Sequence, residues 1–195
     1  ASNGIEIQRI IPYKPYVDDA IAQAKNKPEH VIVFDRDQEV DIPKKGYDVD
    51  YKTLVETSLA VDAVPLPATH PSYILYTSGT TGKPKGIIRD TGGYATALKF
   101  SMKNVYGVNE DDVYWAASDV GWVVGHSFIV YGPLLNRNTT ILFEGKPIKT
   151  PDASTFWRVI SEHNVKVMFT APTAIRAIKK EDPEGQMIKN YDLSC

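Results

Sequence analysis

The sequence predicts an α/β fold in which a mixed, largely parallel sheet is flanked by helices. Short apolar runs typical of strands alternate with segments of helical periodicity, and no internal repeat interrupts this order. Hydrophobic residues make up 43% of the 195 residues and charged residues 24%, which is the composition of an ordinary globular protein. The formal net charge of −2 lacks the basic excess of nucleic-acid-binding domains, so we expect no nucleic-acid partner.

Residues 1–70 contain four segments with clear local signals. Apolar residues at helical spacing, with two aspartates in the first turn, predict a helix over 15–25. The β-branched run 30–34 predicts a buried strand, and a short helix is expected over 50–59. Residues 61–71 contain three prolines and predict an extended connection into the next strand.

Residues 71–195 continue the alternation. Apolar runs predict strands, the first two of them buried, over 73–76, 86–88, 113–117, 139–143 and 165–170. Helical periodicity predicts helices over 93–105, 125–135, 156–160 and 173–180. We expect Thr91 to cap the first of these helices, and either Asp152 or Ser154 to cap the third.

Three strands of this series end in hydroxyl residues. These are Thr77, Ser118 and Thr170. The carboxyl ends of parallel strands meet at one edge of a sheet, where open α/β sheets bind ligands. We therefore expect the three hydroxyls to lie on one face.

The stretch between the first two of these strands has the residue types of an anion site. Glycines let backbone N–H groups turn toward a ligand, hydroxyls donate further hydrogen bonds, and lysines add positive charge. Phosphate is the expected ligand of this site. The candidate ATP- and pyrophosphate-binding residues are Thr77, Ser78, Gly79, Thr80, Thr81, Gly82, Lys83 and Lys85.

This stretch has two other interpretations, a simple turn and the phosphate loop of nucleoside triphosphatases. A cluster of Gly, Ser and Thr between strands is often only a turn, and Lys83 in particular is either a ligand or a solvated side chain. The phosphate loop of nucleoside triphosphatases requires a glycine five residues before its Gly-Lys pair and a Ser or Thr directly after the lysine. This chain has Thr77 and Pro84 at those places, so it does not contain that loop.

The order Ser-Gly-Thr-Thr-Gly-x-Pro-Lys-Gly over 78–86 resembles the fingerprint of the adenylate-forming enzymes, which include acyl-CoA synthetases, luciferases and peptide-synthetase adenylation domains. From Pro71 to about Pro183 the likeness is nearly continuous. Segments similar to the acetyl- and propionyl-CoA synthetase branch lie at 88–94, 115–127, 131–134 and 169–177.

This resemblance implies a two-step ligase reaction. A carboxylate attacks the α-phosphate of ATP and releases pyrophosphate, and the thiol of coenzyme A then attacks the acyl-adenylate and expels AMP. The implied substrates are a small carboxylic acid, ATP with Mg²⁺, and coenzyme A, with no tightly bound cofactor. No cluster of potential metal ligands recurs in the sequence, so we expect Mg²⁺ to arrive with ATP.

The resemblance places the acyl pocket at Trp122, Val123 and Val124. In acetyl-CoA synthetases the two positions after the tryptophan are Val-Thr, whereas the Val-Val pair here resembles the propionate-using branch. A threonine at Val124 would contact coenzyme A, so that contact is lost. Core packing of these three residues is the alternative, and His126 is either a substrate contact or a polar group at a helix start.

A coenzyme A site is implied at residues Glu6, Ile7, Gln8 and Arg9, together with Val124. The family motif has two arginines three residues apart that bind phosphate. Arg9 matches the second of them, but Glu6 stands in place of the first. A carboxylate cannot neutralise a phosphate, so this site is expected to lack one contact.

The resemblance also implies a domain organisation. Residues 1–70 are expected to form the N-terminal part of an AMP-binding domain with its coenzyme A loop, and residues 71–195 a subdomain with the phosphate loop and acyl pocket. The family's adenine, ribose and Thr-Glu motifs, its adenylation lysine and its small C-terminal domain have no match here. We therefore expect an internal piece of a longer enzyme, with no catalytic residue assigned within it and no activity alone.

The remaining expectations concern partners and compartment. No apolar run is long enough to cross a membrane, and the single cysteine, Cys195, cannot form an internal disulfide. We expect no membrane partner and a cytoplasmic or mitochondrial-matrix location, and the sequence does not determine the oligomeric state. The alternative function is a lobe that binds nucleotide or coenzyme A without catalysis.

Overall fold

A computed structural model of the chain describes residues 1–36, 44–77 and 82–194. The chain divides into two compact units, Ala1–Ala63 and Val64–Cys195. Both units combine helices with strands, which confirms the predicted α/β class. The described strands form four separate sheets: two are antiparallel pairs, one is a parallel pair and one is a parallel sheet of three strands.

The first unit is built from two small ladders and two helices. Its elements are β1 (Asn3–Glu6), β2 (Arg9–Pro12), α1 (Lys14–Gln23), β3 (Val31–Val33), β4 (Asp48–Asp50) and α2 (Tyr51–Thr57). β1 and β2 form an antiparallel hairpin, and β3 pairs with β4 in parallel. The Asp50 carboxylate accepts a hydrogen bond of 2.8 Å from the Thr53 amide and so caps α2. Both predicted helices and the predicted strand of this unit are confirmed, but the prediction that the strand is buried is wrong: Ile32 is 60% and Phe34 43% exposed, because the two-stranded ladder leaves these side chains largely uncovered by the described residues.

A buried lysine ties α1 to β4. Lys14 is only 3% exposed, and its ammonium contacts the carboxylates of Asp18 and Asp48, the latter at 2.9 Å. The Tyr47 hydroxyl donates a 2.7 Å hydrogen bond to Asp18. Burial alone would lower the pKa of Lys14, but its hydrogen bonds and the charges of both aspartates together raise it. Hydrogen bonds from Lys14 and Tyr47 lower the pKa of Asp18.

The second unit starts with an antiparallel hairpin of β5 (Pro71–Thr77) and β6 (Lys85–Asp90). The prediction that both strands are buried is wrong. Ile74 and Ile88 face each other across the ladder and are 54% and 61% exposed. Side chains alternate between the two faces of a ladder, and no described element covers the face on which these isoleucines lie.

Helix α3 (Thr91–Asn104) follows β6 directly. Asp90, and not Thr91 as expected, is the capping residue: its carboxylate accepts a 3.0 Å hydrogen bond from the Gly93 amide. The Thr91 hydroxyl instead donates to the carbonyl of His70 at 2.8 Å. The β-region backbone of Asp90 gives its side chain the geometry that an N-cap requires, whereas Thr91 is already helical.

A parallel three-stranded sheet lies at the centre of the second unit, with β7 (Val113–Ala117) between β8 (Thr139–Thr140) and β9 (Val165–Thr170). β7 and β9 agree with the prediction. β8 is shorter than predicted because the ladder pairs only Thr139 and Thr140 with β7. The apolar side chains of Ile141 and Phe143 pack against the core without continuing the ladder.

The helical elements of this unit surround the sheet. Besides α3, those described are α4 (Val123–Gly125), a π-helix (His126–Tyr131), α5 (Gly132–Leu135), α6 (Thr155–His163), α7 (Pro172–Glu181) and a 3₁₀ helix (Met187–Asn190). The helix predicted over 125–135 is confirmed in extent, although its middle is a π-helix. Ser154 occupies the position before α6 without a capping bond from its side chain, while the Asp152 carboxylate accepts a 2.8 Å hydrogen bond from the Ser154 amide.

Two apolar cores lie on opposite sides of β7. Trp115 packs with Phe156, Val159 and Ile160 of α6 in one of them. Tyr114, the preceding residue, packs with Met102, Val108 and Ile129 in the other. Neighbouring residues of a strand point to opposite faces, so both faces of this sheet are covered, as in α/β domains.

Candidate functional site

The glycine-rich turn lies at the tip of the β5–β6 hairpin. Thr77 at the end of β5 pairs with Lys85 at the start of β6. Gly82 has a φ of 78°, a left-handed conformation that glycine adopts without strain. Lys83 and Lys85 are exposed. The predicted ligands Ser78, Gly79, Thr80 and Thr81 lie outside the described residues.

The described part of this turn has the features of an anion site. Lys83 and Lys85 are both exposed and lie two residues apart in the sequence, and Gly82 directly precedes Lys83. Among the described residues, no atom beyond the chain neighbours of Gly82 lies within 4 Å of the position that a Cβ atom there would occupy. Positive charge beside open backbone donors is how proteins bind phosphate groups.

The candidate acyl-pocket residues lie on a tight turn that leads into α4. The Asp119 carboxylate accepts a 2.7 Å hydrogen bond from the Gly121 amide. The Trp122 amide donates to the Asp119 carbonyl at 3.3 Å, and Trp122 in turn accepts from the His126 amide at 3.0 Å. The whole turn is therefore fixed by its own backbone.

The side chains of this turn are open to solvent. Trp122 is 68% exposed, which is incompatible with a core aromatic in this chain. Val123 and Val124 are half-buried at the start of α4. An exposed indole beside two apolar side chains is a surface that can contact a small apolar group.

An aromatic cluster connects β5 and α3 with the π-helix, and no local pattern of the sequence predicted it. Tyr73 of β5 stacks on Tyr131, with ring centroids 6.0 Å apart, and its edge meets His126 at 5.5 Å. Tyr94 of α3 contacts both tyrosines, at 5.7 and 5.9 Å. Arg89 lies over the Tyr94 ring at 5.5 Å. The residues are too widely spaced along the chain for any periodicity to reveal this cluster.

At the carboxyl edge of the parallel sheet, β7 and β9 end side by side. Ala117 and Thr170 are partners in the ladder, and the Thr170 hydroxyl donates a 3.1 Å hydrogen bond to the Ala117 carbonyl. Ser118 follows Ala117 directly, so Ser118 and Thr170 lie at the same edge of this sheet. Thr77 belongs to a different ladder, so the single sheet edge that was predicted for all three hydroxyls does not form.

The candidate coenzyme A residues form the turn of the β1–β2 hairpin. Glu6 and Arg9 are ladder partners, and Ile7 and Gln8 make the two-residue turn between them. Ile7 has a φ of 59°, which is uncommon for a β-branched residue. Gln8 and Arg9 are exposed, so the guanidinium is accessible to an anion.

The described residues contain neither a candidate metal site nor a candidate membrane helix. No group of three or more His, Cys, Asp and Glu side chains in this part of the chain is arranged to hold a metal ion. Within the same residues, no helix combines the length and apolar character that crossing a membrane requires.

These elements define an α/β protein with a glycine-rich, lysine-bearing turn. A model of the family of AMP-binding enzymes matches residues 6–194. The chain belongs to this family, which confirms the resemblance to adenylate-forming enzymes.

Several curated proteins are similar to the entire chain. Acyl-CoA synthetase short-chain family member 3, mitochondrial, from Homo sapiens is 50% identical over 195 residues. Acyl-CoA synthetase short-chain family member B, mitochondrial, from Dictyostelium discoideum is 46% identical over 201 aligned positions. Propionate--CoA ligase from Salmonella typhimurium is 48% identical over 196 aligned positions.

Each of these alignments covers 100% of this chain but a smaller part of the relative. The chain spans 28% of the human protein, 29% of the Dictyostelium protein and 31% of the Salmonella protein.

Proposed function

We propose that this chain is part of a short-chain acyl-CoA synthetase, an AMP-forming acid–thiol ligase. The observation that carries the proposal is the 48–50% identity, over the whole chain, to proteins named acyl-CoA synthetase and propionate--CoA ligase. The match includes both segments with candidate chemistry, the glycine-rich turn and the turn at Trp122.

In the first step, a carboxylate oxygen of the acid attacks the α-phosphorus of ATP and pyrophosphate leaves. The nucleotide binds at the tip of the β5–β6 hairpin. The hydroxyls of Thr77, Ser78, Thr80 and Thr81 donate to the β- and γ-phosphates, Gly79 and Gly82 permit close approach, and Lys83 and Lys85 add charge. Negative charge grows on the departing pyrophosphate, so fixed donors and ammonium groups there stabilise the transition state. ATP carries its Mg²⁺ as a substrate complex, and no tightly bound cofactor takes part.

In the second step, the thiol of coenzyme A loses its proton, its sulfur attacks the acyl carbon, and the bond to AMP breaks. Arg9, exposed at the β1–β2 turn, binds a phosphate of coenzyme A. Glu6 offers no such contact, and Ile7 and Gln8 contribute backbone to the turn. Val124 contributes an apolar contact at the pantetheine end.

The acid is a short one, propionate or acetate. Trp122, Val123 and Val124 line its pocket, and the Val-Val pair favours propionate. One methylene in an apolar pocket changes discrimination by only about 1–3 kcal/mol, so the preference between the two acids is modest. The partners are thus small molecules, with neither nucleic acid nor membrane involved, in the cytoplasm or the mitochondrial matrix.

The test is exchange of labelled pyrophosphate into ATP, catalysed by a protein of full family length that contains this sequence. We expect exchange that depends on added propionate or acetate, and AMP plus acyl-CoA when coenzyme A is added. Formation of ADP with transfer of the γ-phosphate would overturn the proposal. The purified 195-residue chain is expected to form no AMP, because it contains no match to the family's adenine, ribose and lysine motifs. Calorimetry with ATP, pyrophosphate and coenzyme A then measures what it binds alone.

A further inference from the structure

Three hydroxyl groups from three separate elements form one hydrogen-bonded chain. The Tyr73 hydroxyl on β5 donates to the Tyr94 hydroxyl on α3 at 3.0 Å. Tyr94 shares a second hydrogen bond, of 2.8 Å, with the Ser127 hydroxyl on the π-helix. Tyr94 is therefore the central member, in contact with both of the others.

This chain connects the two candidate binding segments of the second unit. Tyr73 lies four residues before Thr77, on the strand that leads into the glycine-rich turn. Ser127 lies on the π-helix that directly follows α4, which carries Val123 and Val124. A shift of Ser127 thus moves Val123 and Val124, the candidate acyl-pocket residues of α4, relative to β5.

Burial protects the hydrogen bond between Tyr94 and Ser127 from competition by water. Ser127 is 7% exposed, so water does not readily replace its partner. Burial raises the pKa of Tyr94 to about 12, and its hydroxyl stays protonated at neutral pH. The π-helix has wider backbone turns than an α-helix. Such helices are rare overall, but those that occur are frequently found at functional sites. We therefore expect side-chain hydrogen bonds to contribute more to holding this segment in place.

We propose that the Tyr94 hydroxyl is a positioning group for the acyl pocket. It holds the π-helix, through Ser127, at a fixed place relative to β5, and so sets where Trp122, Val123 and Val124 meet the carboxylic acid. Tyr94 itself does not touch the substrate in this role. The inference rests on the proposed ligase function.

Tyr94→Phe removes both hydrogen bonds and keeps the ring contacts with Tyr73 and Tyr131. Tyr131→Phe is the matched control, because its ring belongs to the same cluster and its hydroxyl makes no hydrogen bond within the described residues. Both variants are made in the full-length enzyme, and the KM values for propionate and for ATP are measured by pyrophosphate exchange.

We expect Tyr94→Phe to raise the KM for propionate about fivefold while the KM for ATP stays within about twofold. In Tyr131→Phe both values stay within about twofold. A merely destabilised enzyme has a smaller active fraction, which lowers kcat and changes neither KM. An unchanged KM for propionate in Tyr94→Phe, or an equal rise in Tyr131→Phe, would overturn the proposal.

Ser127→Ala removes the hydrogen bond between Tyr94 and Ser127 from the serine side. This variant tests the proposal if Tyr94→Phe does not fold. It should reproduce the rise in the KM for propionate, and the double variant should rise no further than either single one. A double variant whose rise equals the product of the two single effects would refute a shared connection. Failure of the proposed function is distinguishable, since the wild-type enzyme would then lack acid-dependent exchange altogether.

Discussion

The backbone carbonyl of Asp119 fills the space that a Cβ atom of Gly125 would occupy. The Cα atom of Val120 lies equally close, so the turn that carries Trp122 folds back directly onto the start of the helix. Only a residue without a side chain permits this approach. Gly125 therefore sets the shape of the candidate acyl pocket.

Gly125→Ala is expected to distort this turn and to lower the free energy of unfolding by about 1–3 kcal/mol, because backbone atoms must move to admit a methyl group. The midpoint of urea unfolding measures the change. Gly46→Ala is the control, since no atom of the described residues lies within 4 Å of a Cβ atom there. Equal stabilities of the two variants would contradict the close approach.

The glycine-rich turn is tested by replacing Thr80 and Thr81 together with valine in the full-length enzyme. Loss of donors to the polyphosphate should reduce acid-dependent pyrophosphate exchange by about a hundredfold or more. Thr57→Val serves as the control, because its hydroxyl donates to the Thr53 carbonyl within its own helix. Unaltered exchange in the double variant would count against a phosphate-binding role.

Acyl selectivity is tested at Val124. Val124→Thr restores the pair found in acetyl-CoA synthetases and should lower the ratio of kcat/KM for propionate to that for acetate by about tenfold. A hydroxyl in place of a methyl group disfavours the longer acid in an apolar pocket. The matched substitution Val105→Thr, at a side chain that is 67% exposed, should leave the ratio unchanged. A ratio that is insensitive to Val124→Thr would place the pocket elsewhere.

The ion pairs of Lys14 predict how stability depends on pH. Asp18 has a lowered pKa in the folded chain, so its contribution is present above its unfolded pKa, about 4, and is lost as the pH falls through the folded value. Lys14 has a raised pKa, so its contribution is lost only as the pH rises above about 10.

Asp18→Asn should therefore be less stable than wild type at neutral pH, and the difference should shrink as the pH falls below about 4 and through the lowered pKa of folded Asp18. Thermal unfolding at pH values from neutral to acidic measures the difference in stability between this variant and wild type. Asp19→Asn, at the exposed neighbour on the same helix, should follow the wild-type curve. A difference for Asp18→Asn that persists at the lowest pH would show that the carboxylate charge is not its source.

Local sequence predicted most elements closely. The strands Val113–Ala117 and Val165–Thr170 have the predicted bounds, because β-branched and aromatic runs between polar turns give an unambiguous signal. The predictions of burial that were wrong depend on distant neighbours. Ile74 and Ile88 resemble buried strand residues, but exposure depends on which elements cover them, and Thr91 lost the capping role to the residue before it.

The candidate site was predictable where its residues are contiguous. The glycine-rich turn and the turn at Trp122 each lie within one short segment, and their order of residue types carried the family resemblance that the match to residues 6–194 confirmed. The cluster of Tyr73, Tyr94 and Ser127 was not predictable, because its members come from three elements and have no common spacing.

The amino-acid order alone determined the fold class and family of this protein, because periodicity, capping chemistry and a motif of nine residues are properties of neighbours along the chain. The folded structure decided which hydroxyls meet: Thr170 reaches Ala117, Tyr94 reaches Ser127, and Thr77 stays in a ladder of its own. Such contacts depend on how helices and strands pack in three dimensions, and packing joins residues that local sequence cannot relate.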